Sequence, residues 1–167
     1  SSVIKNLLML TKIYVADIMT PKSVMMSLDE NTTVEEVWQK NKPIRYSRIP
    51  VYRENSDNIV GLAQRYQIME ALTHDQDKML IKEISKPIDF ISETTPVNQA
   101  LDFFIKNKSH IAVVKDEMGL VVGLVSLEDA VETLLGVEIV DELDHVADLR
   151  QYALEQWQLR RSQQRRS

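Results

Sequence analysis

At 167 residues, with 44% hydrophobic and 27% charged side chains, the chain has room for one ordinary domain or two small repeats and is too apolar to be disordered. A net charge of −5 argues against a broadly basic nucleic-acid-binding face. The absence of cysteine removes disulfides, thiolate metal sites and cysteine nucleophiles together, and no stretch approaches the about 20 apolar residues of a membrane span.

The chain opens on Ser1 with no start methionine and no signal-peptide pattern, and reads as a piece of something longer. Val3, Leu7, Leu10 and Tyr14 fall at helical spacing and predict a leading amphipathic helix. A short strand from Val24 to Leu28 is expected next. Thr32 is the expected N-cap of a helix through Val34, Val37 and Trp38, with Glu35 at capping-box spacing. Two apolar strands follow, Arg48 to Tyr52 and Ile59 to Ala63, around the polar turn Asn55-Ser-Asp-Asn58. A helix from Tyr66 to Leu72 closes the unit.

The order then repeats. A strand from Phe90 to Ser92 leads to Thr95 as the expected cap, with Pro96 at the first helical position, where its missing N–H costs nothing. The helix runs through Val97, Leu101, Phe104 and Ile105. Strands from Ile111 to Val114 and Val121 to Val125 flank the turn Asp116-Glu-Met-Gly119, and a helix from Leu127 to Leu135 is expected to stop at Gly136. From Glu138 onward Val140, Leu143, Val146, Leu154 and Trp157 outline another amphipathic helix. Arg160, Arg161, Arg165 and Arg166 end it, as a solvated terminus or as a phosphate or lipid contact.

The repeat is visible in the letters. Ser47-Arg-Ile-Pro-Val-Tyr52 lies 62 residues before Ser109-His-Ile-Ala-Val-Val114, and Ile59-Val-Gly-Leu62 keeps the same distance from Val121-Val-Gly-Leu124. Thr32-Thr-Val34 and Thr95-Pro-Val97 stand 63 apart, so one residue slips between, expected at Lys42-Pro43. Thr20-Pro21 and Lys86-Pro87 stand 66 apart. The fold class is therefore α+β, with two β-α-β-β-α repeats. A single unit has too few strands to bury its helices, so the two copies are expected to share a core.

These repeats resemble CBS modules over residues 17–136. The phrases Asp17-Ile-Met-Thr-Pro21, Tyr46-Ser-Arg-Ile-Pro-Val51, Gly123-Leu-Val-Ser-Leu-Glu-Asp129 and Leu135-Gly-Val-Glu-Ile-Val-Asp-Glu142 look like the CBS pair of CorC/CNNM-type magnesium and cobalt transport proteins. The resemblance implies a tandem pair with pseudo-two-fold symmetry (a Bateman module), flanked by N- and C-terminal helices. It divides the chain into a linker at 1–16 from an upstream membrane domain, CBS units at 17–74 and 80–136, and a helix with basic tail at 137–167. It also implies a homodimer on the cytoplasmic face of the membrane, followed in many members by a CorC/HlyC domain for which the last thirty or so residues are too few.

Binding an adenosine phosphate without hydrolysing it needs an apolar slot, a carboxylate for the ribose hydroxyls and a helix N-terminus for phosphate. Ser126-x-x-Asp129 supplies the last two if Leu127 opens the closing helix; the same spacing also describes a plain capping motif. By resemblance, the partners of Asp129 are Thr20, Met25, Tyr46, Ser47 and Pro50. Thr20 and Ser47 suit hydrogen bonds to adenine or phosphate; Met25 and Tyr46 either wall the base or simply pack. Arg48 either neutralises phosphate or sits in solvent. The first copy has Gln64 and Gln67 where the second has Ser126 and Asp129, which predicts one nucleotide per pair.

The ligand expected is therefore ATP or AMP, with magnesium as a companion of ATP, and the alternative is a dimerisation module with a vestigial pocket. An enzyme is not expected: His74, His110 and His145 lack metal spacing, and no phosphate-cradling loop or nucleophile elbow appears. Glu138, Asp141, Glu142, Asp144 and Asp148 either gather a divalent cation or form a solvated helix face.

Overall fold

A computed structural model describes residues 2–143 and 149–166, with side chains at 2, 3, 6, 7, 138–143, 149–152 and 164–166 outside the description. The expected apolar positions Val3, Leu7, Val140, Leu143 and Val146, the acids Glu138, Asp141, Glu142, Asp144 and Asp148, His145, and the arginines Arg165 and Arg166 thus lie outside the described residues or side chains. The chain divides into two compact units, one of residues 1–23 with 90–167 and one of residues 24–89.

In the first unit, helices α1 (Ser2–Leu10) and α2 (Val15–Ile18) lead into the short strand β1 (Thr20–Pro21). The second unit holds β2 (Leu28–Asp29), α3 (Val34–Lys40), β3 (Arg48–Tyr52), β4 (Ile59–Gln64), α4 (Arg65–Thr73) and α5 (Ile81–Ile84). The chain then returns to the first unit with β5 (Asp89–Ser92), α6 (Val97–Lys106), β6 (Ile111–Lys115), β7 (Val121–Ser126), α7 (Leu127–Leu143) and α8 (Leu149–Arg166).

The first unit carries a sheet in the order β1-β7-β6-β5, and the second a sheet in the order β2-β3-β4. Strands β4 and β7 alternate buried with half-buried positions, the period of two that a one-sided sheet requires. Helix α6 turns Val97, Ala100 and Phe104 inward at helical spacing. These join Leu10, Ile13, Ile18, Ala112 and Val125 in one cluster, while Val34, Val37, Ile49, Val51, Ile68 and Ile81 form another. Each unit thus closes a core of its own.

Each unit is completed by the lead-in segment of the other repeat. In the first, β1 pairs antiparallel with β7, Thr20 opposite Leu124 and Pro21 opposite Gly123. In the second, Lys86 and Leu62 exchange backbone hydrogen bonds at 2.9 and 2.8 Å. The Val-Gly-Leu phrase of each copy exists for this crossing. A Cβ on Gly123 would meet the Thr20 carbonyl and, at 2.8 Å, the Met19 sulfur; one on Gly61 would lie 2.9 Å from the Lys86 carbonyl.

Four local expectations shift. The strand expected from Val24 to Leu28 is a 3-10 turn at Lys22–Val24 followed only by β2. The cap of α3 is Thr33, whose hydroxyl accepts the Glu36 N–H at 3.2 Å. Thr32 is held in the preceding turn by its N–H to Asp29 (3.1 Å) and its carbonyl, which accepts the Ile81 N–H at 2.9 Å. The cap of α6 is Pro96 and not Thr95, because the Thr95 carbonyl accepts the Val15 N–H at 2.8 Å and stays outside the helix. Helix α7 runs on through Gly136: Ala130, Thr133 and Val137 line its buried face, and keeping Val137 inside outweighs the about 1 kcal/mol penalty of an interior glycine.

The slip between the repeats also moves. Arg48 pairs with Gln64 as Ile111 does with Ser126, and Tyr52 with Ile59 as Lys115 does with Val121. The spacing of 63 therefore holds from Thr32 through Tyr52, and the missing residue falls in the hairpin turn, not at Lys42-Pro43.

Candidate functional site

Strand β7 delivers Ser126 to the first turn of α7, and Leu127 opens the helix with its N–H on the His110 carbonyl at 2.9 Å. Ser126 and Asp129 cap the helix reciprocally. The Ser126 N–H donates to Asp129 Oδ2 at 2.9 Å, and the Asp129 N–H donates to Ser126 Oγ at 3.1 Å. One turn on, the Thr133 hydroxyl donates to the Asp129 carbonyl at 2.8 Å.

The β1–β7 pairing brings Thr20 to the same end of the sheet. Helix α8 supplies the residue that ties these groups together. Arg161 donates from Nη1 to Thr20 Oγ1 and from Nη2 to Asp129 Oδ2. Its side chain is only 11% exposed and that of Asp129 13%, so the pair lies largely out of water. One turn earlier Trp157, 5% exposed, donates its indole N–H to the Ile18 carbonyl at 2.8 Å, and the guanidinium lies over its ring at 4.8 Å. Burial pushes the Asp129 carboxyl up to about 6, against the Arg161 guanidinium and the Ser126 hydrogen bonds, which pull it down; Glu132 adds a further upward push.

Of the eight residues expected at the site, Thr20, Ser126 and Asp129 gather here in the first unit. The other five lie in the second unit. Met25 follows the 3-10 turn, half-buried. Tyr46 is 47% exposed just ahead of β3. Ser47 accepts from Arg65 on its hydroxyl (3.3 Å) and on its carbonyl (2.9 Å). Arg48 begins β3, half-buried, and Pro50 is buried at its centre opposite Leu62. Arg65 also donates to the Ile44 and Arg45 carbonyls at 3.0 and 3.3 Å, fixing the Tyr46–Ser47 segment.

At the twin position Gln64 precedes α4 without a side-chain cap, and the amide oxygens of Gln64 and Gln67 are buried without hydrogen-bond partners. His74 is exposed at the end of α4, and His110 is exposed just ahead of β6 instead of on a strand. Among the described residues no group of three His, Asp or Glu side chains could hold a metal ion, and no helix is long and apolar enough to cross a membrane.

The sequence alone places Arg161 in a basic terminus, solvated or in contact with phosphate or lipid, and gives no sign of Arg65. The available signal for Arg161 was its spacing: Ala153, Leu154, Trp157 and Arg161 fall on one helical stripe, the first three of them buried.

Comparison with known proteins adds to this geometry. The CBS domain family matches twice, at residues 15–74 and 81–136. Magnesium and cobalt efflux protein CorC of Escherichia coli K12 is 32% identical over 148 residues, covering 87% of this chain and 50% of CorC. A UPF0053 protein of Synechocystis is 33% identical over 150 residues, 90% of this chain and 43% of that one. The chain thus spans half the length or less of these relatives. The CBS domain of a bacterial CNNM/CorC family Mg2+ transporter, solved in complex with ATP, superposes with a TM-score of 0.73 at 34% identity, covering 80% of this chain and 94% of that one. A CBS-domain pair from Klebsiella pneumoniae with bound AMP gives a TM-score of 0.62 at 27% identity, covering 74% and 99%.

Proposed function

The chain belongs to the CBS-domain family, as a pair of the CNNM/CorC kind, and from that premise we propose that it is a regulatory module that binds one adenine nucleotide, ATP or AMP. Control of a divalent-cation transporter is part of the same proposal, with the chain on the cytoplasmic face of a membrane, attached to an upstream transmembrane domain and paired as a homodimer. We place no catalysis in it.

The observation that carries this reading is the meeting of Thr20, Ser126 and Asp129 at the start of α7. The chemistry suits a nucleoside phosphate. A carboxylate accepts both ribose hydroxyls, and the hydroxyls and N–H groups at a helix start receive an oxyanion. Two relatives of known structure, solved with ATP and with AMP, support it. Magnesium would come with the phosphates of ATP, whose oxygens are its usual ligands. Met25, Tyr46, Ser47, Arg48 and Pro50 are proposed as the base and phosphate contacts.

One observation favours the rival reading of a purely structural pair. Asp129 already has work as a cap, since its Oδ2 accepts the Ser126 N–H. Isothermal titration with AMP, ADP and ATP, each with and without magnesium, separates the two. The nucleotide reading expects heat from at least one adenylate and its loss in Asp129→Ala; silence from all of them with an intact protein would leave only the structural role.

A further inference from the structure

Resting on that reading, we infer that α8 is an intrasteric gate: Arg161 occupies an acceptor position on Asp129 that a ribose would use and the Thr20 hydroxyl that adenine or phosphate would meet, so the helix and a nucleotide compete for them.

Oδ2 of Asp129 accepts the Ser126 N–H and the Arg161 guanidinium, and a carboxylate oxygen has two lone pairs in the plane. Both are taken on that oxygen. A ribose diol brings two hydroxyl donors with the same demand that the guanidinium fork makes, on the same carboxylate. Thr20, the neighbouring hydroxyl, is engaged by the other arm of the fork.

The contact is built, not a chance surface pair. Ala153, Leu154 and Trp157 bury the stripe of α8 that leads to Arg161, and the Trp157 indole anchors it on Ile18, just ahead of β1. Its place over the Trp157 ring restrains the guanidinium, so less side-chain freedom is lost when it pairs. Asp129 meanwhile is a carboxyl kept largely from water, and a desolvated acid gains from whichever donor reaches it. The gate is therefore an equilibrium. Nucleotide binding draws on the fraction of molecules with α8 released, and its apparent affinity is reduced by that fraction.

The test is titration of the intact chain with ATP, with and without magnesium, beside Arg161→Gln and Arg161→Lys, with hydrogen exchange of α8 followed in each. The gate expects Arg161→Gln to bind roughly tenfold or more tightly, Arg161→Lys to fall between, and ATP to raise exchange across α8 in the parent chain. In a Trp38→Phe background Trp157 emission should shift red on ATP addition; this readout, like exchange in the parent, needs no Arg161 variant to fold. Equal affinities with α8 protection unchanged would overturn the gate and leave the nucleotide reading standing. Weaker binding by Arg161→Gln would overturn it too, making Arg161 part of the ligand's own contacts. No binding to either chain at millimolar ATP would sink the gate together with the nucleotide reading.

Discussion

Ser126 and Asp129 each hold the other's backbone N–H, at 2.9 and 3.1 Å, so one carboxylate serves both as a helix cap and as an acceptor for Arg161. The two roles separate by substitution. Asp129→Asn keeps an oxygen for the Ser126 N–H and removes the charge; Asp129→Ala removes both. A lost cap costs about 1 kcal/mol, so Asp129→Ala should melt below Asp129→Asn. A hydrogen bond to a charged acceptor is worth about 1.5–3 kcal/mol, so both should weaken adenylate binding by roughly ten- to a hundredfold. Calorimetry and thermal melts on the same samples check this.

The protonation of Asp129 couples to stability. Its carboxyl titrates at about 6 in the folded chain against 3.8 in the reference state. An acid raised by burial is held more tightly as the neutral form when folded, so its contribution is fully present below pH 3.8 and is lost as pH rises through 6. Across that window the loss is on the order of 3 kcal/mol. Urea denaturation of the parent and Asp129→Asn should therefore diverge between pH 4 and 7, the parent losing ground. Arg161→Gln removes the chief influence holding the carboxyl down, so its midpoint, read by carboxyl carbon NMR, should rise above 6.

Trp157 sits between core and site. Its ring is buried and its indole N–H is satisfied by the Ile18 carbonyl. Trp157→Ala should cost about 3–5 kcal/mol, while Trp157→Phe keeps most of the volume and loses chiefly the hydrogen bond, about 1 kcal/mol. Hydrogen exchange should show α8 unprotected in the first and docked in the second.

The strand pattern was legible because β4 and β7 bury one face only, which fixes their phase. The register of the partner strands was not. Ile111, Ala112, Val113 and Val114 are all buried, as are Ile49, Pro50 and Val51, so neither strand alternates and the matching letters Ile49 with Ile111 outvoted the true pairing. Ser126 and Asp129 were legible from their spacing at a helix start. Arg161 was not, since periodicity tells which stripe of a helix is apolar and is silent on which surface receives it.

Gly123 is where packing sets the position of Thr20. A methyl group there would strike the Thr20 carbonyl and the Met19 sulfur, the latter at 2.8 Å. Gly123→Ala should therefore push β1 off β7, giving up the Thr20–Leu124 pairing and withdrawing Thr20 from the Arg161 guanidinium. The expected loss is about 1–3 kcal/mol in urea denaturation, with adenylate affinity falling alongside.

The proposed stoichiometry turns on Gln64 and Gln67. They stand where the second copy has Ser126 and Asp129, and an uncharged amide is a weaker acceptor for a ribose diol than a carboxylate. Gln64 also leaves the start of α4 uncapped by any side chain. Titration should accordingly give one adenylate per chain. Gln64→Ser with Gln67→Asp rebuilds the reciprocal cap, which should stabilise α4 by about 1 kcal/mol, and restores the carboxylate. Arg65 adds a difference that the double change leaves in place: it holds the Ser47 hydroxyl from the first residue of α4, where the second copy has Leu127. If acceptor chemistry alone decides occupancy, the rebuilt copy takes up a second adenylate. If it stays at one while the melting point rises, the Arg65 clamp and not the missing acid closes that half.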